Sequence, residues 1–182
     1  MPSIGRRCAT SSTPGSFDHP GHRRGQGSGR GDEARSPAEY AARIDAARDR
    51  LIAFAAGCTP EQWRAAPLDG DPRPVGVIVD HVAHAYEYMG DWMRRTLDGE
   101  DVRVTGDIVD ALNAEHALAA AAVTKDGAIE HLRRSGAVFR DQVAGCSAAA
   151  LRSGGGRVER FAQIAARHPD DHRAELEAAL GS

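Results

Sequence analysis

Two imidazoles four residues apart, His168 and His172 in the run HPDDH, are the first feature of this 182-residue chain with the spacing for chemistry. On an α-helix that spacing stacks two side chains on one face, close enough to share a metal ion. A third ligand must come from elsewhere in the chain. His81 sits one turn ahead of His84 and Ala85 on a stretch that reads as core-facing, so it can meet the pair across the interior of a helical bundle. His84, a turn further on, is an alternative to His81. Three neutral imidazoles leave one or more coordination positions open, which is the arrangement of a catalytic metal site, not a closed structural one. Imidazole ligands suit zinc, nickel, iron and copper. Asp80, Glu87, Glu115 and Asp171 are acids able to orient such an imidazole through its other nitrogen.

The other readings of these residues are plainer. An HxxxH pair also arises on solvated helices, and Pro169, Asp170, Asp171, Arg173 and Glu175 are surface residue types. His116 and His131 read as residues of exposed faces, and Tyr86, Tyr88 and Trp92 as packing. Pro169 removes a backbone donor and disfavours helical geometry at His168, so a helix there should kink or restart.

The elements that must position these groups are helical. Ser36-Pro37-Ala38-Glu39 is a capping box with proline at the first helical position, followed by Tyr40, Ile44, Ala47, Leu51 and Phe54 at spacings of three and four, and then Gly57. Thr59-Pro60-Glu61-Gln62 repeats the cap for a short turn carrying Trp63, and Pro67, Gly70, Pro72 and Pro74 mark a loop. A long helix is predicted over 74–97, with a stop at Asp98-Gly99, and a third segment over about 107–123. Thr124 caps a further helix that ends near Gly145. Gly154-Gly155-Gly156 reads as a flexible joint, with no GK[ST] following it to make a phosphate loop. The last helical segment is predicted over 158–180. No strand-like alternation of useful length occurs, so the fold class is all-α, about five helices with short connections in a bundle.

Residues 1–35 are dense in Gly, Ser, Arg and Pro and nearly empty of large aliphatics; they are expected to be a disordered N-terminal extension, with 36–182 forming one helical domain. His19 and His22 fall in this lead. It lacks the apolar core of a secretory signal and the amphipathic period of a transit peptide. A net charge of -3, with arginines interleaved among acids, argues against a nucleic-acid partner, and no apolar run reaches the roughly 20 residues of a membrane span. Cys8, Cys58 and Cys146 form no CxxC pair and are odd in number, which points to a reducing, cytoplasmic setting.

The stretch PVGVIVDHVAHAYEYMGDWMRRTLDGED from Pro74 to Asp101, with VDALNAEHA and the terminal AARHPDDHRAEL, resembles the DinB/YfiT-like superfamily, which includes the N-terminal domain of mycothiol-dependent maleylpyruvate isomerase. The resemblance runs from about Ser36 to the C-terminus. It implies a four-helix bundle with an additional helix in the connection between helices 2 and 3, and a divalent metal, zinc or nickel, held by His81, His168 and His172. It further implies a metal-dependent enzyme, a transferase or isomerase that uses mycothiol, bacillithiol or another low-molecular-weight thiol on a small electrophilic substrate. Two other functions fit the same pattern: a non-catalytic, stress-associated or ligand-binding bundle with a vestigial site, and a homodimeric module packing through its Ala-rich 117–123 face.

Overall fold

The structure, a computed structural model, describes residues 35–181, so the expectation of a disordered lead lies outside the described residues. Among the described residues the secondary structure is entirely helical: α1 (Pro37–Gly57), α2 (Pro60–Arg64), α3 (Val75–Leu97), α4 (Gly106–Ala119), α5 (Lys125–Ala144), α6 (Ala148–Leu151), α7 (Ser153–Ala165) and α8 (His168–Leu180). Among the described residues no helix is long and apolar enough to cross a membrane.

The starts of these helices are written in the local sequence. The Ser36 hydroxyl accepts from the Glu39 amide and the Glu39 carboxylate accepts from the Ser36 amide, a closed capping box with Pro37 inside it. Thr59 and Gln62 repeat the arrangement at α2, and Thr124 accepts from the Gly127 amide at α5. In α2, Trp63 is buried and its Nε1 donates to the carbonyl of Val123 at 3.2 Å, pinning the loop before α5 to the start of α3. The indole lies flat over Gly76, where an added Cβ would come within 2.6 Å of Cε2 and Nε1, so a side chain larger than hydrogen does not fit there.

The long elements close a ring around one core. Helix α1 packs on α5, α5 on α3, α3 on α7, and α8 returns to α1. Ile44 and Leu51 from α1, Ile78, Val82 and Met93 from α3, Leu132 and Phe139 from α5, Val158 from α7 and Leu176 from α8 meet inside it with essentially no exposure. Apolar burial on this scale, worth about 25 cal/mol per Å², is what orients the polar residues that share these faces.

Two details differ from the sequence reading, and a third settles a kink or restart that it left open. The third segment ends at Ala119, and Ala120 and Val123 turn back towards the body of the protein, so residues 117–123 do not form one continuous helical face. The Gly154–Gly155–Gly156 joint is three successive residues with φ of 60°, 67° and 87°, a left-handed turn that glycine makes without steric cost, and regular right-handed helix resumes after it. The last predicted helix is broken: α7 stops at Ala165 and α8 restarts at His168, with Pro169 in the first turn of the new helix, where its missing N–H removes no helical bond.

Candidate metal centre

That restart places the histidine pair. Because α8 begins at His168, the two imidazoles occupy its first and second turns and project from one face, with ring centroids 4.5 Å apart. Asp170 and Asp171 lie in the first turn, favourably for the helix dipole, and their carboxylates are held by arginines: Asp170 by Arg50 of α1 in a two-point pair at 2.8 and 2.6 Å, Asp171 by Arg167 at 2.9 Å. The Arg50 pair ties the start of α8 to α1.

His81 enters from the middle of α3. It belongs to a run in which every residue from Val75 to Ala83 is buried, and it is only 4% exposed. Its Nε2 is 3.1 Å from the Nε2 of His168, and its ring stands edge-on to those of His168 and His172 at centroid separations of 5.1 and 5.4 Å. One nitrogen from each of the three imidazoles falls within 4.8 Å of the others. The Nε2 atoms of His81 and His168 already stand close to the separation of two ligand nitrogens in a tetrahedral zinc site, about 3.4 Å.

The electrostatics favour neutral, electron-donating rings at His81 and His168. Burial, then the nearby His172 and Arg73, push the pKa of His81 down to about 3, and burial followed by His172 and His81 lowers that of His168 well below the ordinary value. His172 turns Nδ1 to the Glu175 carboxylate at 3.3 Å, which leaves Nε2 shielded from solvent with no partner. A buried nitrogen without a hydrogen bond costs about 1–3 kcal/mol, and a cation among the three would give it a partner. The donor set therefore fits a divalent metal, with His172 already oriented from behind by Glu175. Arg73, in the loop before α3, is held by Asp71 through bonds of 2.7 to 3.1 Å and adds a positive charge to the surroundings of the trio.

His84 is not part of this group. It faces Glu87 at 3.5 Å and stacks on His116 at 4.9 Å. The reading of His116 and His131 as exposed residues is incorrect. His116 is 6% exposed, and its Nε2 is 2.9 Å from Asp80 Oδ2; His131 is partly buried, with Nδ1 2.8 Å from Asp80 Oδ1 and Nε2 3.0 Å from Glu87 Oε1. Asp80 thus sits between two imidazoles from α4 and α5, and their hydrogen bonds hold its pKa far below the carboxylate range despite the opposing effect of burial. The signal in the sequence was the acid itself: a carboxylate amid Val77, Ile78, Val79 and Val82 must be paired, and histidines were the polar residues at hand. Of the other acids named from sequence, Glu87 joins this second cluster, Glu115 is exposed, and Asp171 pairs with Arg167.

A sequence profile of the DinB superfamily matches residues 43–176, which spans α1 through most of α8 and includes all three histidines. The chain belongs to the DinB superfamily. No curated protein and no solved structure matches it significantly. The DinB match covers the elements that carry the trio, from α3 to α8, and leaves the choice of metal and reaction to the chemistry of the site.

Proposed function

We propose that this DinB-superfamily protein is a metal-dependent enzyme that binds one divalent cation, zinc or nickel, through His81, His168 and His172 and uses a low-molecular-weight thiol of the mycothiol or bacillithiol type on a small electrophile. The observation that carries the reading is the convergence of three imidazoles from two distant segments, one nitrogen of each within 4.8 Å of the others, with His172 Nε2 buried and unpartnered. Burying three imidazoles together with one nitrogen left unpartnered carries a desolvation cost that a bound cation would offset.

The framework in this proposal is a four-helix bundle in which α1, α3, α5 and the α7–α8 pair are the bundle helices and α4 is the additional helix in the second connection. Held by His81, His168 and His172, a divalent cation would supply Lewis acidity that lowers the pKa of a bound thiol or water. The protein's own residues supply the rest. His81 and His168 remain unprotonated at neutral pH, Glu175 fixes the orientation of His172, and the Arg73 guanidinium favours an anionic group close to the trio. A small-molecule substrate, a homodimeric assembly and a cytoplasmic setting in which Cys58 and Cys146 stay reduced complete the proposal, with neither nucleic acid nor membrane as a partner.

Elemental analysis of the untagged protein beside His81→Ala and His172→Ala tests it first. About one equivalent of metal in the parent, lost in both variants, is the expected result; it would be followed by thiol consumption assays with mycothiol and bacillithiol against a panel of electrophiles. Absence of metal after reconstitution with zinc or nickel would sink the enzyme reading and favour the vestigial bundle.

A further inference from the structure

Two imidazole nitrogens beside the trio are shielded from solvent and lack a partner, and they are complementary. His81 directs Nε2 at His168, so its other nitrogen, Nδ1, is the unpartnered one. An imidazole that gives the Nε2 lone pair to a metal carries its proton on Nδ1, and that N–H needs an acceptor.

His116 presents the opposite need. Its Nε2 lies 2.9 Å from Asp80 Oδ2. An ionised carboxylate only accepts, so Nε2 carries the proton and Nδ1 is a bare lone pair, buried and without a partner. Asp80 is kept ionised by a second donor, His131 Nδ1 at 2.8 Å, while His131 Nε2 donates to Glu87 at 3.0 Å. With both ring nitrogens donating to carboxylates, His131 is an imidazolium that fixes Asp80 from the far side. His84 stacks on the His116 ring with planes 19° apart and limits its rotation.

The rings of His81 and His116 meet edge to face with centroids 6.0 Å apart. We propose that His116 is the positioning residue of His81: its Nδ1 accepts the His81 Nδ1–H, directly or through one ordered water, so that an Asp80–His116–His81 chain delivers the buried carboxylate's charge to the metal site. Either arrangement would give both orphaned nitrogens a partner. Metal-bound histidines generally donate their second N–H to a carboxylate, carbonyl or water, and here a histidine held by a carboxylate takes that place. The inference rests on the metal reading of the trio and adds a role for α4, which contributes no member of the trio.

The test is zinc affinity, measured by competition with a chromophoric chelator, in the full chain and in His116→Phe, His116→Gln and Asp80→Asn, with the melting temperature of each chelator-treated protein recorded beside it. His116→Phe keeps a planar ring but removes the acceptor and should weaken zinc binding about 10- to 100-fold. Asp80→Asn replaces the obligate acceptor and should weaken it comparably. His116→Gln, whose amide oxygen accepts in place of Nδ1, should stay within about threefold of the parent, a rescue that loss of packing alone would not show. Imidazole ¹⁵N spectra of the unsubstituted zinc-loaded protein give a reading independent of variant folding: the proton of His116 is expected on Nε2. Parent affinity in His116→Phe, or a His116 protonated on Nδ1, overturns the proposal while leaving the metal reading intact. A parent that takes up no zinc overturns the metal reading and this proposal with it.

Discussion

Acid should destabilise the metal-free protein through His81 in a pH window set by its burial. The ordinary imidazole titrates near pH 6.5, whereas in the folded protein burial holds His81 down at about 3. As the pH falls below about 6.5 the unfolded chain takes up a proton that the folded chain refuses, so stability present above that pH is lost progressively down to about pH 3. The loss is about 1.4 kcal/mol per pH unit, hence about 2 kcal/mol from His81 alone at pH 5. His168, shifted in the same direction, adds to it. His84, also lowered by burial, acts in the same direction, whereas the groups around Asp80 do not. His131 is raised by Asp80, so its stabilising contribution is complete at acid pH and fades as pH rises, and Asp80, lowered by His116 and His131, begins to lose its contribution only below its ordinary range near 3.8. For a domain of this size each kcal/mol moves the melting temperature by about 2–4 °C, so His81 accounts for a fall of about 4–8 °C between pH 7 and pH 5. Circular dichroism melts in a chelating buffer should show that fall in the parent and a correspondingly smaller one in His81→Asn, which has no ionisable group at the position. Equal falls in the two proteins would refute the claim that His81 is buried and neutral.

Zinc supplied at about 100 times its dissociation constant should stabilise the parent by about 2.7 kcal/mol and leave His172→Ala unmoved, as read by thermal shift at several zinc concentrations. Gly76→Ala should cost about 1–3 kcal/mol despite the better helix propensity of alanine, because the new Cβ meets an indole that its bond to Val123 prevents from swinging aside; a urea titration followed by tryptophan fluorescence would contradict this by finding the variant as stable as the parent. Ser36→Ala removes the capping oxygen of α1 and should lower stability by about 1 kcal/mol in the same titration, with an unchanged midpoint as the disconfirming result.

What could be read from the sequence was whatever depends on residues close together in it. The capping boxes at Ser36 and Thr59, the cap at Thr124 and the placement of His168 and His172 on one helix face each involve positions within about one helical turn, and local backbone geometry decides them. His81 was legible in part, because a histidine inside a buried apolar run must face a polar partner. The role of Pro169 lay at the edge of legibility: its chemistry predicted a break at His168, but only the packing of α7 and α8 shows that the break becomes a helix start. The cluster around Asp80 was not legible as a cluster. Its members come from α3, α4 and α5, Asp80 and His116 are 36 residues apart, and α4 has a weak apolar stripe that does not announce which face is covered.

The proposed metal site sets two demands that conflict at the level of single residues. A metal ligand must be desolvated and neutral, which costs stability, and it must also be aimed, which requires hydrogen bonds that solvent would otherwise supply. The ring of α1, α3, α5 and α7–α8 meets the first demand by burying His81 among Ile78, Val82 and their neighbours. The second is met by charged groups set one residue further out: Glu175 on His172, and the Asp80–His131–Glu87 series of alternating charges beside His116. Removing a carboxylate from this outer layer should therefore disturb the metal more than the fold, whereas removing an aliphatic from the ring should disturb the fold first.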